Sequence, residues 1–393
     1  MDPILNEINR KYVRINQYEK TYNSQVVHAL LEKILKIMRD KNHLFKSMNP
    51  KIAYLGSYYD GLRVGHATEF DINIVLKLPI NYKNIVLDAS NKEAYTVVKM
   101  PSEFRRLCKI PITATNGFTE TEFWCDKLHR LSVKKFRSWM QSVLDSALST
   151  LPKTNDKYSI KVNDKIFLIT AKLSGPANTI SIYDNNSIID VDLVPTFEFN
   201  LEQNKPRNCA VDFSMEIFKF KKQYFIVPKP TDDEYIWRLA FPYQEKAIMN
   251  NKNNFKSAVK LIKLLRDTQE FNKLASYYIK TLFIWEITRK PSKFWRKSLS
   301  FLVLYMMEIL RDQLRKKEIQ NYWSPRHNLL NTVKEETLEN WCNRLTYIIN
   351  DIKKNKEKNP SIIRQYFEKQ TFKQERFHFE SSPKTVSLPY RYI

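Results

Sequence analysis

The most informative stretch of this sequence reads Leu55-Gly56-Ser57-Tyr-Tyr-Asp-Gly-Leu-Arg-Val-Gly-His-Ala-Thr-Glu69-Phe-Asp71-Ile-Asn-Ile-Val-Leu-Lys-Leu-Pro79. Successive side chains of a β-strand point to opposite faces, so Glu69 and Asp71 would project together from the face opposite the core. Two carboxylates held side by side repel each other unless a cation lies between them. The spacing therefore predicts a divalent-metal site, with Glu69 and Asp71 as ligands and Mg²⁺ or Mn²⁺ as the metal.

Two further features support this site. Gly56 and Ser57 supply a residue without Cβ, a hydroxyl and backbone N–H groups, which suit a phosphate. Downstream, Asp190 and Asp192 alternate with apolar residues, so a third carboxylate can face the same site. Three carboxylates fit a two-metal phosphoryl-transfer centre, with one metal on nucleotide phosphates and one that lowers the pKa of an attacking hydroxyl. The alternative is that these acids line the solvated face of a half-exposed sheet.

Composition excludes several classes of protein. The 393 residues are 43% hydrophobic, which is enough for a large core and excludes wholesale disorder. With 65 Lys+Arg against 42 Asp+Glu, the net charge of +23 favours an extended polyanion as a partner. Neither a secretory signal nor a membrane span is expected, and the four scattered cysteines form neither a zinc ribbon nor a disulfide framework. We expect a cytoplasmic protein with no membrane anchor.

Hydrophobic periodicity predicts an α/β (α+β) fold. An amphipathic stripe over residues 23–38 indicates a long N-terminal helix, the spine helix, and short alternating runs from about residue 51 to 199 indicate a mixed β-sheet. A helix over 132–151 interrupts these runs. Further helices are predicted over residues 255–265, 274–285, 294–314 and 336–352. The predicted organisation is a catalytic lobe with the spine helix over 1–230, a helical lobe over 231–352, and a partly mobile tail over 353–393.

These motifs resemble nucleotidyltransferases of the cyclic GMP-AMP synthase type, and especially the invertebrate cyclic GMP-AMP synthase-like receptors. The segment from Gly56 with Glu69-Phe-Asp71 is similar to the family's activation loop and first acidic pair. Ser174-Gly-Pro-Ala-Asn-Thr followed by Val191-Asp192-Leu is similar to the strands that deliver the third metal ligand, which favours Asp192 over Asp190. The resemblance implies a bilobal nucleotidyltransferase fold in which Glu69, Asp71 and Asp192 are catalytic and hold the metals.

The resemblance also implies a nucleotide site. Trp237-Arg238-Leu-Ala-Phe-Pro-Tyr-Gln-Glu245-Lys246 is similar to the segment that contacts the acceptor nucleotide, so Arg238 would read a guanine edge with Glu245 close by. From the residues alone, Arg238 could equally be an ion-pair partner of Asp232 or Glu234. The implied nucleotide-binding residues are Gly56, Ser57, Arg238, Glu245, Lys263, Ser276, Tyr277 and Lys280.

The last four of these residues come from two helix-like segments. By resemblance, Lys263 reaches the donor triphosphate, Ser276 and Lys280 contact phosphates, and Tyr277 stacks on a base. From the residues alone, two structural alternatives stay open. Lys263 could belong to a solvated basic stripe, and Tyr277 could be a core residue.

The sequence departs from the vertebrate enzyme of this type in places that matter. Between Asn250 and Phe255, where that enzyme inserts a zinc module, only four residues occur and no cysteine lies nearby, so no zinc is expected. Leu55 and Ala240 replace hydroxyl residues, which leaves base selection open.

The basic surface and the resemblance together suggest the activity. We expect double-stranded RNA to be the activator, bound through Lys252, Lys256 and Lys260. ATP and GTP would be joined into a cyclic dinucleotide, cyclic GMP-AMP with a 2′-5′ linkage, read by a STING-type receptor in innate antiviral defence. The alternatives are double-stranded DNA as activator, a 2′-5′ oligoadenylate-type synthetase, or a catalytically silent nucleic-acid-binding scaffold. A dimer or higher assembly on RNA also stays open.

Overall fold

The computed structural model describes residues 1–109, 119–121, 123–162, 164–184, 187–207, 209–250 and 254–368. Within that range the chain forms two compact units. The sheet unit holds residues 15–250 and 322–327, and the helical unit holds residues 1–14, 254–321 and 328–368. This division falls near residue 250 instead of the predicted 230, because the strand Ile236–Ala240 belongs to the sheet.

The helices and strands follow one another along the chain. In chain order the helices are α1 (Asp2–Ile8), α2 (Gln17–Lys41), α3 (His43–Ser47), α4 (Gly56–Tyr59), α5 (Glu103–Lys109), α6 (Val133–Leu148), α7 (Ile217–Phe220), α8 (Pro242–Ile248), α9 (Phe255–Thr268), α10 (Ser276–Arg289), α11 (Leu299–Arg315), α12 (Glu335–Asn355) and α13 (Arg364–Phe367). The strands are β1 (Lys51–Tyr54), β2 (Glu69–Leu76), β3 (Val86–Ala89), β4 (Tyr95–Lys99), β5 (Lys153–Thr154), β6 (Lys157–Val162), β7 (Lys165–Ser174), β8 (Ala177–Asp184), β9 (Ser187–Asn200), β10 (Gln223–Val227) and β11 (Ile236–Ala240).

The strands form one mixed sheet of eleven strands. Nine of them follow the order β3-β4-β11-β10-β9-β8-β7-β6-β5, while β2 pairs with β9 and carries β1 on its other side. Every described pairing is antiparallel except that of β2 with β9, which is parallel. The 14-residue β9 is long enough to have β8 along one edge and β2 and then β10 along the other.

The spine helix α2 confirms the predicted amphipathic stripe. Its buried residues recur at three- and four-residue spacing, which turns one face of the helix to the core. They include Val26, Val27, Leu30, Leu31, Ile34, Leu35 and Met38. Asn16 caps the start of the helix, and its side chain accepts hydrogen bonds from the backbone N–H groups of Tyr18 and Glu19.

Helix α6 packs across the sheet, as its pattern predicted. Phe136 lies at ring-centroid distances of 4.8 Å from Phe197 and 5.4 Å from Trp237. All three aromatic side chains are almost fully buried. This aromatic layer forms the core of the sheet unit under β9 and β11.

The helical unit confirms the four predicted C-terminal helices and adds the first residues of the chain. The carboxylate of Asp2 accepts hydrogen bonds from the backbone N–H groups of Leu299 and Ser300, so it caps the start of α11. Glu7 pairs with Arg364, 2.5 Å apart. The predicted mobile tail begins with ordered structure, because α12 continues to Asn355 and Phe367 is fully buried. The rest of that tail, residues 369–393, lies outside the described residues.

None of the helices in the described part of the chain combines the length and the apolarity that a membrane crossing requires. The mixed sheet, the long first helix and the helical C-terminal region confirm the predicted fold class.

Candidate active site

Four carboxylates meet on neighbouring strands. In the parallel pairing of β2 with β9, Glu69 lies opposite Asp190 and Asp71 lies opposite Asp192. The intervening residues Phe70 and Val191 are buried, so the acids share the other face of the sheet. We refer to Glu69, Asp71, Asp190 and Asp192 as the acidic block.

The loop at Gly56 packs directly against Asp71 of the acidic block. A Cβ at Gly56 would lie 2.3 Å from Oδ2 of Asp71 and 2.5 Å from its Cβ, well inside van der Waals contact. The φ of Gly56 is +80°, a conformation that glycine adopts without steric penalty. The backbone N–H of Ser57 in turn donates a hydrogen bond to the Asp71 carboxylate. The sequence Gly-Ser therefore lets the loop approach Asp71 through its backbone.

The acidic block is electrostatically strained. Burial raises the pKa of Asp71 to about 6, and the charge of Asp192 contributes to this rise. The pKa of Asp192 is also raised, first by burial and then by the charges of Asp190 and Glu69. Arg63 and the Ser57 N–H act in the opposite direction on the pKa of Asp71. Proteins tolerate such a group where a bound cation offsets the repulsion.

Neighbouring side chains orient the acids. Thr179 Oγ1 donates to Asp192 Oδ1 at 2.5 Å, and Ser181 Oγ donates to Asp190 Oδ1 at 2.6 Å. Both donors lie on β8, directly opposite the acids that they hold. Thus two hydroxyls from β8 orient the two carboxylates of β9.

Glu69, the first residue of β2, pairs through its Oε2 with Nη1 of Arg63 in the preceding loop at 2.5 Å, so this predicted ligand is turned toward a guanidinium. The part of the chain that the structure describes contains no converged group of three potential metal ligands in this conformation. The donor set nevertheless fits the predicted ions, since carboxylate oxygens are the ligands that Mg²⁺ and Mn²⁺ prefer. The two-metal arrangement, the ligand roles of Glu69, Asp71 and Asp192, and the absence of zinc stay predictions.

The spine helix holds the loop that precedes Glu69. Asn23 Nδ2 donates to the backbone carbonyl of Ala67, and Glu19 Oε1 accepts from the backbone N–H of the same residue, both at 2.8 Å. Ala67 is fully buried. Tyr58 of α4 donates to the carbonyl of Lys20 at 3.0 Å. Helix α2 is therefore connected to both ends of the segment that contains Gly56, Ser57 and Arg63.

The predicted acceptor residues also lie in the sheet unit. Arg238 is half-buried on β11, opposite Tyr95 of β4. Glu245 is only 6% exposed on α8, and Trp323 Nε1 donates a hydrogen bond to its Oε1 at 2.9 Å. This bond commits one carboxylate oxygen of Glu245 to the protein. The predicted nucleotide contacts of Arg238 and Glu245 stay predictions.

The predicted donor residues lie on two helices of the helical unit. Lys263 of α9 is only 4% exposed, which is unusual for a lysine on a solvated stripe. Ser276 begins α10, and its hydroxyl accepts a hydrogen bond from Arg266 at 2.7 Å. Tyr277 and Lys280 are half-buried on the same helix. Their phosphate and base contacts stay predictions.

The predicted RNA-binding lysines fall near the start of α9. Lys256 is exposed and Lys260 is half-buried. Lys252 lies outside the described residues.

Comparison with known proteins agrees with this geometry. The chain matches the Mab-21 protein nucleotidyltransferase domain over residues 58–251 and the Mab-21 protein HhH/H2TH-like domain over residues 254–347. The chain thus contains a nucleotidyltransferase domain, and enzymes of this family generally use Mg²⁺ or Mn²⁺.

Three similar proteins are each described as a cyclic GMP-AMP synthase-like receptor. The protein of Aethina tumida is 31% identical over 93% of this chain and 91% of its own length. The protein of Tribolium castaneum is 34% identical over 91% and 90%, and that of Trichogramma pretiosum 32% identical over 88% and 72%. The chain belongs to the family of cyclic GMP-AMP synthase-like receptors, which implies an innate immune sensor with nucleotidyltransferase activity.

The structure also adds residues for which the sequence reading assigned no role. Thr179 and Ser181 alternate on β8 with the same period as Asp190 and Asp192 on β9, and this shared alternation was the available signal. Arg63 stands within the quoted stretch, but nothing in the local pattern indicates that it turns back to Glu69. The contacts of Glu19 and Asn23 with Ala67 join residues 44 to 48 positions apart, so no local pattern reveals them.

Proposed function

We propose that this protein is a cytoplasmic sensor that binds double-stranded RNA and then converts ATP and GTP into a cyclic dinucleotide, cyclic GMP-AMP with a 2′-5′ linkage. A STING-type receptor would read the product in antiviral signalling. The reaction is two successive nucleotidyl transfers, each of which forms a phosphodiester bond and releases pyrophosphate.

The observation that carries the proposal is the pairing of β2 with β9. It brings Glu69 opposite Asp190 and Asp71 opposite Asp192, next to a glycine loop that only a residue without Cβ can form. A scaffold protein has no need of such a repelling group of acids. Family membership adds that similar proteins are described as receptors of the cyclic GMP-AMP synthase type.

Each part of the site has a task in this reaction. Glu69, Asp71 and Asp192 would hold Mg²⁺ or Mn²⁺, and Gly56 and Ser57 would offer backbone N–H groups and a hydroxyl to the phosphates. A bound divalent ion supplies charge neutralisation at the phosphates and a lower pKa for the attacking hydroxyl. Thr179 keeps the carboxylate of Asp192 oriented. Arg63 pairs with Oε2 of Glu69, so a metal ion bound through this oxygen would compete with the ion pair.

The proposed switch runs through the spine helix. Glu19 and Asn23 bind both backbone groups of Ala67, two residues before Glu69. A small shift of α2 on binding RNA would therefore move the loop that carries Ser57 and Arg63. This connection supports coupling between RNA bound along α2 and the acidic block.

The proposed RNA surface includes Lys252, Lys256 and Lys260. Residues 251–300 hold 12 Lys+Arg against 3 Asp+Glu, a local excess of +9, which suits a phosphate backbone. Double-stranded RNA would be recognised by its shape and 2′-hydroxyls and not by its sequence.

The deciding experiment incubates the purified full-length chain with ATP, GTP and Mg²⁺ or Mn²⁺, alone, with double-stranded RNA or with double-stranded DNA. Products are treated with phosphatase and identified by mass spectrometry. A phosphatase-resistant cyclic dinucleotide that forms only with RNA is the expected result. Product that forms with DNA would reassign the activator, and longer adenylate chains would indicate an oligoadenylate-type synthetase.

Two sets of variants complete the design. Asp71→Asn should form no product while still binding RNA, and if it retained full biological output the protein would be a scaffold. Reversing charge at Lys252, Lys256 and Lys260 should remove RNA stimulation. The matched control reverses charge at Lys316, Lys354 and Lys358, three exposed lysines of the helical unit that lie outside α9. Equal loss in both triple variants would contradict the surface assignment.

A further inference from the structure

A second polar site lies on the sheet unit, where β4 and β11 pair. Arg238 lies opposite Tyr95, and the backbone N–H of Leu239 donates to the carbonyl of Ala94 at 2.8 Å. Ala94 then adopts a left-handed φ of +64°, which ends the strand pairing immediately next to Glu93. Glu93 therefore stands one residue beyond the ladder that carries Arg238.

Glu93 has an unusual carboxylate. Its Oε2 is buried from solvent and has no hydrogen-bond partner in the protein. A buried acceptor without a donor is costly, on the order of 1–3 kcal/mol and more for a charged group, so native proteins keep few of them. A bound ligand with a hydrogen-bond donor could satisfy this oxygen.

Several cations occur in the same part of the sheet unit as Glu93. The charges of Arg238, Lys92 and Lys229 lower the pKa of His327, and the charge of Glu93 raises it, so these four groups all lie within electrostatic reach of His327. Burial and the charges of Arg238 and Lys92 lower the pKa of Lys229 to about 8. We refer to Lys92, Lys229 and Arg238 as the cationic cluster.

We propose that Glu93 selects the base of the acceptor nucleotide, as a hydrogen-bond acceptor for the N1–H and N2 amino group of guanine. This inference rests on the proposed function and on the role predicted for Arg238, which is to read a guanine edge. A carboxylate only accepts hydrogen bonds and a guanidinium only donates them, so the two groups together match a ring with donors on one edge and acceptors on the next. Guanine has this arrangement, with O6 and N7 available to Arg238.

The same chemistry excludes other bases. Adenine presents the lone pair of its N1 where guanine presents N1–H, so it would face the Glu93 carboxylate with an acceptor. Hypoxanthine keeps N1–H and O6 but lacks the N2 amino group, so it would satisfy one oxygen of Glu93 and leave the other unpaired. A site built to bind a donor rejects an analogue without it far more strongly than an apolar pocket rejects a missing methylene. A bare phosphate is disfavoured because Glu93 is itself an anion.

The test compares GTP with ITP, which differ only in the N2 amino group. With ATP as the second substrate, the wild-type chain should use GTP at least about tenfold more efficiently than ITP, and Glu93→Ala should bring this ratio near one. Glu93→Gln keeps one acceptor oxygen at the same size and should lie between them. The matched control, Glu216→Ala, removes an exposed glutamate of the same unit and should keep the wild-type ratio.

Binding separates this inference from the proposed function. The dissociation constants of GTP and ITP, measured by calorimetry without ATP, should differ for the wild type and converge for Glu93→Ala. If binding discriminates through Glu93 but no cyclic product forms, the proposed function fails and the base assignment stands. If Glu93→Ala folds and retains the wild-type preference for GTP in both turnover and binding, the inference is overturned. Should Glu93→Ala fail to fold, the Glu93→Gln ratio decides in the same way.

Discussion

The acidic block and the cationic cluster occupy the same sheet and are built by opposite means. Strand register brings Asp71 and Asp192 together on β2 and β9, and burial with mutual repulsion raises the pKa of both. Around Arg238, turns and a loop residue bring cations together at the end of β4 and β11, and the pKa of Lys229 falls to about 8. In both regions, burial and neighbouring like charges make the charged form of a side chain unfavourable in the folded protein.

The two regions differ in the kind of ligand that would relieve the repulsion in each. Like carboxylates are relieved by a cation, whereas clustered cations are relieved by electron-rich atoms such as the O6 and N7 of a purine or the oxygens of a phosphate. A nucleotide with its divalent ion carries both kinds of group. Under the proposed function, the acidic block would bind the divalent ion and the cationic cluster would bind the nucleotide, and each assignment can be tested by removing the charge of that region.

The largest effect is expected from Asp71→Asn, which removes the charge from the centre of the acidic block. Product formation should fall about 1,000-fold or more, the order expected from losing several kcal/mol of transition-state stabilisation. Mn²⁺ should raise the Tm of the wild type, and this rise should disappear in the variant. Asp88→Asn, a paired surface acid on β3, is the control and should keep both properties.

The next largest effect is expected from Gly56→Ala, which tests whether close backbone approach is needed. The new Cβ would overlap Asp71, so either the loop or the carboxylate must move, and activity should fall about 100-fold with a stability loss of about 2–4 kcal/mol. Gly65→Ala is a close control because Gly65 has a φ of +79° with nothing within 4 Å. It should show only the backbone penalty of about 1–2 kcal/mol. Equal losses in both variants would mean that contact with Asp71 is unimportant.

A smaller effect concerns stability against pH in the absence of metal. Because the folded-state pKa of Asp71 is raised from 3.8 to about 6, the native state binds more protons than the unfolded state between these values, and stability falls as pH rises through this window. Above pH 6, Asp71→Asn should therefore be more stable than the wild type by about 2–3 kcal/mol. Urea unfolding in EDTA should show this advantage at pH 7.5 and its loss near pH 4. An advantage independent of pH would disprove the electrostatic cause.

The smallest effect is the opposite pH dependence of stability, which we expect at Lys229 of the cationic cluster. The pKa of Lys229 is lowered from 10.5 to about 8, so its charge destabilises the fold below pH 8 and this penalty fades as pH rises toward 10. Lys229→Met should stabilise the nucleotide-free protein by about 1–2 kcal/mol at pH 7 and by little at pH 10. Thermal unfolding at both pH values measures this. If the stabilisation by Lys229→Met instead grew with pH, the charge of Lys229 would not be the cause, and the contrast with Asp71 would be wrong.

Local pattern was sufficient for much of the fold. The stripe on α2, the alternation of β2 and β9 and the four C-terminal helices could be predicted because each depends on residues a few positions apart. The pairing of Gly56 with Asp71 as parts of one site could also be anticipated from short-range spacing. The boundary between the two units could not, because β11 is only five residues long and joins the sheet through distant partners.

The chemistry of the site depends more on contacts between distant segments. Residue identity determined that carboxylates, a Gly-Ser loop and a basic surplus were present, since these properties belong to single residues and short motifs. The parallel register that places Asp192 beside Asp71, the β8 hydroxyls that hold the β9 acids, and the buried Oε2 of Glu93 near Arg238 arise from pairings across the sheet. Strand register and burial depend on many residues that are far apart in the sequence. They are therefore decided by the tertiary structure and not by any local motif.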